Sequence, residues 1–251
     1  VFLNTLKGTN PFISEISLFE LKELTTLSNK KNFLNNYRSK LDLSGNPSSD
    51  NIYKILRYIN LSSSLEFVLS RNIEGDIAEC GCWHGHSLFM LEELVKRYEL
   101  DKNIYVFDSF EGGLSDFKNN DLKDASINLK QANLLSKEYF SDYDLLKEKM
   151  QKNNLKNIYL NKGWIPEVFK KTENRKYSFV HIDVDLYEPT LESLKYFFGK
   201  VSKGGIIICD DYGYNLFPGA KRAVDLFISE LDKKDYSLFI PFAVGGCLIQ
   251  K

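Results

Sequence analysis

The stretch Gly204–Gly213, GGIIICDDYG, constrains the fold more than any other segment of this 251-residue chain. Ile206–Cys209 are apolar without alternation, so the strand they form has no face for water and has to be covered on both sides. The runs DIAEC, NIYVFD, IYLNKG and YSFVHIDVD also read as strands. Between and after these runs come HSLFMLEELVKRYEL, YFSDYDLLKEKMQKNN, PEVFKKT, EPTLESLKYFFGKV and AKRAVDLFISELDKK. Their apolar residues recur at helical spacing. Five strand-then-helix units predict an α/β fold with a mostly parallel sheet and helices on both faces. The closing SLFIPFAVGGCLIQ reads as two strands around a Val-Gly-Gly turn, an antiparallel addition at the sheet edge.

Residues 1–70 have a different character. ISEISLFELKELTTLSNKKNFLNNY and NIYKILRYINLSSSLEFVLSRN carry helical periodicity, separated by the turn cluster DLSGNPSSD, whose Ser49 and Asp50 are candidate N-caps. The expected organisation is an N-terminal helical cap or oligomerisation arm over 1–70, followed by a single ligand-binding domain over 71–251. The arm makes a homodimer or higher homo-oligomer the expected assembly.

Charge and cysteine usage exclude several classes of function. The net charge is −1 and no long lysine or arginine run occurs, which argues against a nucleic-acid groove or a polybasic membrane patch. No apolar stretch approaches the roughly 18–20 residues of a membrane span, and VFLNTLKGTN lacks the order of a secretory signal. Cys80, Cys82, Cys209 and Cys247 have neither disulfide-scaffold nor zinc-finger spacing. Buried or loop thiols and a cytoplasmic setting are the expectation.

The chemistry concentrates where strands end. Asp183, Asp210 and Asp211 close two consecutive parallel strands, so their carboxylates converge at the sheet edge where open α/β sheets bind ligands. Clustered carboxylates repel, and a cation, a proton or water has to compensate them. Oxygen ligands of this kind suit Mg²⁺ or a similar hard dication. Asp185, two residues beyond Asp183, faces the same side if the backbone stays extended, where it is placed to orient a substrate hydroxyl or take its proton. The alternative is a set of solvated surface acids with Asp211 capping a turn.

A second cluster lies earlier. In DIAECGCWHGHS a strand runs through Glu79 into Gly81 and Gly85, and a helix starts near Ser87. The glycines allow close backbone approach, and the helix start offers unpaired N–H groups. The spacing is neither that of a dinucleotide loop nor that of a triphosphate loop. Asp108, ending the next strand, is placed to accept bonds from ribose hydroxyls. His84 and His86 sit in the turn, with His86 expected to line a cofactor pocket. His181, inside its strand, reads as a satisfied core residue.

With these residues in place the chain resembles the macrocin-type O-methyltransferases, class I S-adenosylmethionine-dependent enzymes acting on sugar hydroxyls. GDIAECGCWHGHS, VFDSFEGGL, HIDVDLYEPTLESL, GGIIICDDYG and PGAKRAVDLF carry the resemblance, over roughly residues 75–231. It implies a Rossmann-like, seven-stranded methyltransferase fold with S-adenosyl-L-methionine and Mg²⁺ as cofactors. It implies that Glu79 and Gly81 hold the methionine amino end, with Trp83, His86 and Ser87 around its carboxylate. Asp108 takes the ribose with Ser109 beside it, Gly163 and Trp164 flank the adenine, and Asp183, Asp210 and Asp211 bind the metal. Catechol-type relatives have a lysine base where this chain has Leu186, so the base is expected to be Asp183 or Asp185.

The implied acceptor is a sugar or glycosylated small molecule, either a natural product or a surface-polysaccharide precursor. Two alternatives stay open at this point. The D-x-D triplet Asp183–Asp185 also suits a metal-dependent nucleotide-sugar glycosyltransferase, and a methyltransferase-like fold can serve as a non-catalytic binding module.

Overall fold

The computed structural model describes residues 30–47, 51–172, 174–213 and 216–251. The expected helix over 13–37 therefore lies partly outside the described residues. The first described helix, α1 (Lys30–Ser44), runs past Tyr37 and ends at Gly45, whose φ of +61° marks the turn. The next, α2 (Ile52–Ser70), is capped by Asn51, whose side chain accepts from the Lys54 amide at 3.0 Å. The cap is thus Asn51. The candidates Ser49 and Asp50 lie outside the described residues.

The strand–helix alternation then follows. Strand β1 (Asp76–Cys80) leads to α3 (His86–Arg97) and β2 (Ile104–Asp108). The segment after β2 contains α4 (Asn119–Leu122), α5 (Leu129–Ser136) and α6 (Tyr143–Lys152) before β3 (Ile158–Lys162). A 3-10 turn, Glu167–Thr172, stands where PEVFKKT predicted a short helix. The remainder is β4 (Tyr177–Ile182), α7 (Tyr187–Phe198), β5 (Val201–Cys209), α8 (Gly219–Glu230), β6 (Leu238–Pro241) and β7 (Cys247–Gln250). The seven strands lie in the order β3-β2-β1-β4-β5-β7-β6, parallel through β5, with β7 antiparallel to both β5 and β6. Sequence order reverses between β1 and β4, so the ligand-binding crevice belongs at their carboxyl ends.

Alternation along the strands divides the core. Ile77, Val106, Phe179, Ile206 and Ile208 face a layer built from α2, α3 and α6. Ala78, Cys80, Phe107, Val180 and Ile207 face α7 and α8. Leu61, Leu65, Val68 and Leu69 of α2 are buried in the first layer beside Ile77 and Leu91. Through these leucines α2 packs into the core layer over β4 and β5. Burying such leucines is worth about 1.5–3 kcal/mol each. Among the described residues no helix is long and apolar enough to cross a membrane.

One close approach ties the two strand ends of the crevice together. The Asp183 amide donates to Cys80 O at 2.9 Å, and Gly81, at φ +78°, leaves room for the Asp183 carbonyl. A Cβ on residue 81 would sit 2.0 Å from that oxygen. Left-handed strain and the backbone clash together predict that Gly81→Ala lowers unfolding free energy by about 3 kcal/mol, read as a reduced urea midpoint.

Candidate active site

A cavity of about 760 Å³ opens at the carboxyl ends of β1, β2, β4 and β5. Gly81, Trp83, Asp108, Ser109, Gly163 and Trp164 line one part, and Asp183, Asp185, Asp210 and Asp211 another. Its walls come from Asn51, Lys54 and Arg57 at the start of α2, from Leu114, Ser115 and Tyr139 in the segment after β2, and from Val244 in the last hairpin. This volume falls within the usual size of small-molecule sites.

Glu79, His86 and Ser87 do not line the cavity. Glu79 lies on the helix-covered face of β1, fully buried. Ser87, in the first turn of α3, is also buried. His86 turns away beneath α1 and α2: Nε2 lies 3.1 Å from Tyr37 O, and the ring stacks on Tyr58 with centroids 4.2 Å apart. Burial, reinforced by the Lys54 charge, pushes its pKa down to about 3, so it stays neutral. The ring expected to line the pocket thus packs between α1 and α2. The αL turn at Gly85 starts α3 so that its first residue points into the helical layer.

Asp108 is an organiser of the glycine turn. Its Oδ2 accepts from the Cys82 and Trp83 amides at 2.9 and 3.3 Å, and its Oδ1 from the Phe110 amide at 2.9 Å and Ser141 Oγ at 2.5 Å. Trp83 holds φ +44° and donates from Nε1 to Glu138 O at 3.0 Å, linking the turn to the segment that forms the opposite wall. The Gly163 amide donates to the Asp108 main-chain carbonyl at 3.0 Å, which ties the turn before Trp164 to the end of β2.

The acidic cluster is assembled differently from the extended-strand expectation. Strand β4 ends at Ile182, and Asp185 takes a left-handed φ of +59°. Its amide then donates to Asp211 Oδ2 at 3.0 Å. The turn, and not strand alternation, brings Asp185 to the cavity. Burial, then the charges of Asp211 and Asp183, push the Asp185 carboxyl well above the usual range. Asp211 rises to about 7 for the same first cause, with Asp183 next.

The compensating charge is one that sequence reasoning missed. Arg57 Nη2 pairs with Asp210 Oδ2 and lies 3.9 Å from both Asp183 Oδ1 and Asp211 Oδ1. Burial opposes its charge, but the aspartates outweigh that and hold the pKa above its ordinary value. The available signal was an arginine four residues before Leu61, on the apolar face of its helix.

His181 is only half satisfied. Its Nδ1 meets Glu79 Oε1 at 3.0 Å, while Nε2 and Glu79 Oε2 have no hydrogen-bond partner among the described residues. One ring nitrogen of His181 and one oxygen each of Asp183 and Asp210 lie within 4.8 Å of one another. The hard oxygen donors fit a divalent cation, and the guanidinium among them shows that the cluster accommodates positive charge.

Comparison with known proteins places the chain among methyltransferases. Residues 27–235 match the profile of the macrocin-O-methyltransferase (TylF) family. The chain is 29% identical over 189 residues to demethyldecarbamoylnovobiocin O-methyltransferase of Streptomyces niveus, covering 72% of this chain and 68% of that one. It is 27% identical over 178 residues to mycinamicin III 3''-O-methyltransferase of Micromonospora griseorubida, covering 67 and 66%. The solved structure of the O-methyltransferase NovP superposes with a TM-score of 0.66 at 25% identity, over 78% of this chain and 80% of that one.

Proposed function

The chain belongs to the macrocin-O-methyltransferase family, and from that premise we propose that it moves the methyl group of S-adenosylmethionine to a hydroxyl of a sugar or glycosylated small molecule, beside a divalent cation held by Asp183, Asp210 and Asp211. The observation that carries this reading is a single cavity running from Gly81, Asp108 and Trp164 to the four aspartates. A relative from Streptomyces olivaceus, 29% identical over 164 residues, is named for a rhamnosyl-bearing tetracenomycin, which supports a sugar-bearing acceptor.

The bound groups supply an electrophilic methyl and a positive charge next to the acceptor oxygen. The chain supplies alignment and the proton's destination. Asp108 and the turn it organises fix the donor, with Trp83 and Trp164 as flanking walls. Asp185 is the base: its burial beside Asp183 and Asp211 raises its proton affinity, and a base is most effective when its pKa approaches the working pH. Leu186, in the place of a lysine base, is buried against Phe217 and Ala132 and takes no part. The walls from α2 and from residues 113–139 would limit the access of water and hold donor and acceptor against each other.

Thermal stability measured with EDTA present tests the reading. At about 100 times its Kd, S-adenosylhomocysteine should add about 2.7 kcal/mol, and UDP should add nothing. Methyl transfer to a glycoside should vanish in EDTA and return with Mg²⁺. Stabilisation by UDP plus metal, without any by S-adenosylhomocysteine, would instead support the glycosyltransferase alternative.

A further inference from the structure

Arg57 projects from the face of α2 that also carries Leu61 and Leu65, four and eight residues on, both buried in the core. The helix packs on β4 and β5, so the leucines fix its register over the strand ends. The guanidinium is carried there by the fold rather than by a mobile loop. Its Nη2 pairs with Asp210 and lies 3.9 Å from one oxygen each of Asp183 and Asp211. A hard dication bound by the same residues needs their oxygens at about 2.0–2.6 Å, and it would draw on the Asp210 oxygen that Nη2 holds.

We propose that Arg57 and the divalent cation are alternative occupants of one seat. In the metal-free protein Arg57 compensates the aspartates and keeps them gathered. Metal entry expels the guanidinium into the cavity it already lines, where it becomes a donor to the acceptor's oxygens. Both charges cannot hold the same three oxygens, because two cations within a few ångströms repel and each needs the same lone pairs. The exchange makes metal binding weaker than the bare aspartates would give, and couples it to a side chain of α2. This inference rests on the metal reading proposed above.

Mn²⁺ titration followed by electron paramagnetic resonance is the test, using the full chain as wild type, Arg57→Met and Arg57→Lys. Arg57→Met is expected to bind Mn²⁺ at least about tenfold more tightly than wild type, since removing the competitor frees the ligands. Arg57→Lys, a compact and strongly hydrated charge without the planar fork, should fall between them and serves if the methionine variant does not fold. Thermal melting gives an independent reading. Without metal Arg57→Met should melt lower than wild type, because removing one partner leaves buried carboxylates unpaired, and Mn²⁺ should raise its melting temperature by more than it raises that of wild type. A purely structural arginine would lower stability without improving metal affinity. Equal or weaker Mn²⁺ binding by both variants overturns the exchange. Absence of Mn²⁺ binding in all three proteins at millimolar concentration overturns the metal reading itself, and the exchange with it.

Discussion

Asp185→Asn is expected to lower kcat for methyl transfer by about 10²–10⁴-fold, the range associated with loss of a positioned base. S-adenosylhomocysteine affinity should change little, because Asp185 sits at the acidic end of the cavity and makes no contact with the Asp108 turn. Asn is nearly isosteric, and the amide bond from residue 185 to Asp211 is a backbone bond that the substitution leaves in place. Turnover measured with the true acceptor, set against cofactor affinity by calorimetry, separates a chemical defect from a binding one. Retention of full kcat would transfer the base role elsewhere, Asp183 being the neighbouring carboxylate.

The same substitution has a signature in stability. The folded-state pKa values of Asp185 and Asp211 are raised, so the native protein holds protons more tightly than the unfolded chain does. The stability this contributes is fully present below the ordinary carboxylate range and is lost as pH rises through about 7, where Asp211 ionises. Metal-free wild type should therefore lose stability between mildly acidic and mildly alkaline pH. Asp185→Asn should flatten that decline and be the more stable protein at the alkaline end. A pair of denaturation series at the two pH values, both in EDTA, reads the difference directly.

Asp108→Ala is expected to weaken S-adenosylhomocysteine binding by about 100-fold or more, the equivalent of losing at least one charged hydrogen bond in a desolvated site. The effect has two sources. In the proposed reading the carboxylate meets the ribose, and in the structure it holds the turn through the Cys82, Trp83 and Phe110 amides and the Ser141 hydroxyl. Removing it leaves those donors unpaired and frees Trp83 from its left-handed conformation. Ser141→Ala offers the control, since it removes one donor and keeps the carboxylate. If Asp108 serves the cofactor, Ser141→Ala should bind S-adenosylhomocysteine as well as wild type or better, whereas Asp108→Ala should not. Equal losses in both variants would make Asp108 a scaffold residue only.

How much of this was written in the chain can be judged residue by residue. The parallel sheet was legible because runs such as Ile206–Cys209 admit no solvated face, and because helical spacing intervenes between them. The position of Asp108, Asp210 and Asp211 followed from the same reading, since an apolar run that stops at an acid marks a strand end. Asp185 reaches the cavity by a left-handed turn instead of an extended strand, and nothing in HIDVDL announces φ +59°. The direction of the His86 ring was not legible, because a residue in a turn has no periodicity to fix it. The unmet valences of His181 and Glu79 were signalled by polar residues inside apolar strands, but their pairing needed the register that sets Glu79 beside His181.

Local patterning, then, determined which segments are strands, which are helices and where each strand delivers an acid, because those properties depend on neighbours within a few residues. The tertiary structure alone decided what answers the acids. Arg57 lies 153 residues from Asp210 in the chain, and it arrives there only because the buried leucines of α2 fix that helix over β4 and β5. Charge compensation across such a distance is a consequence of packing, which sequence periodicity does not encode.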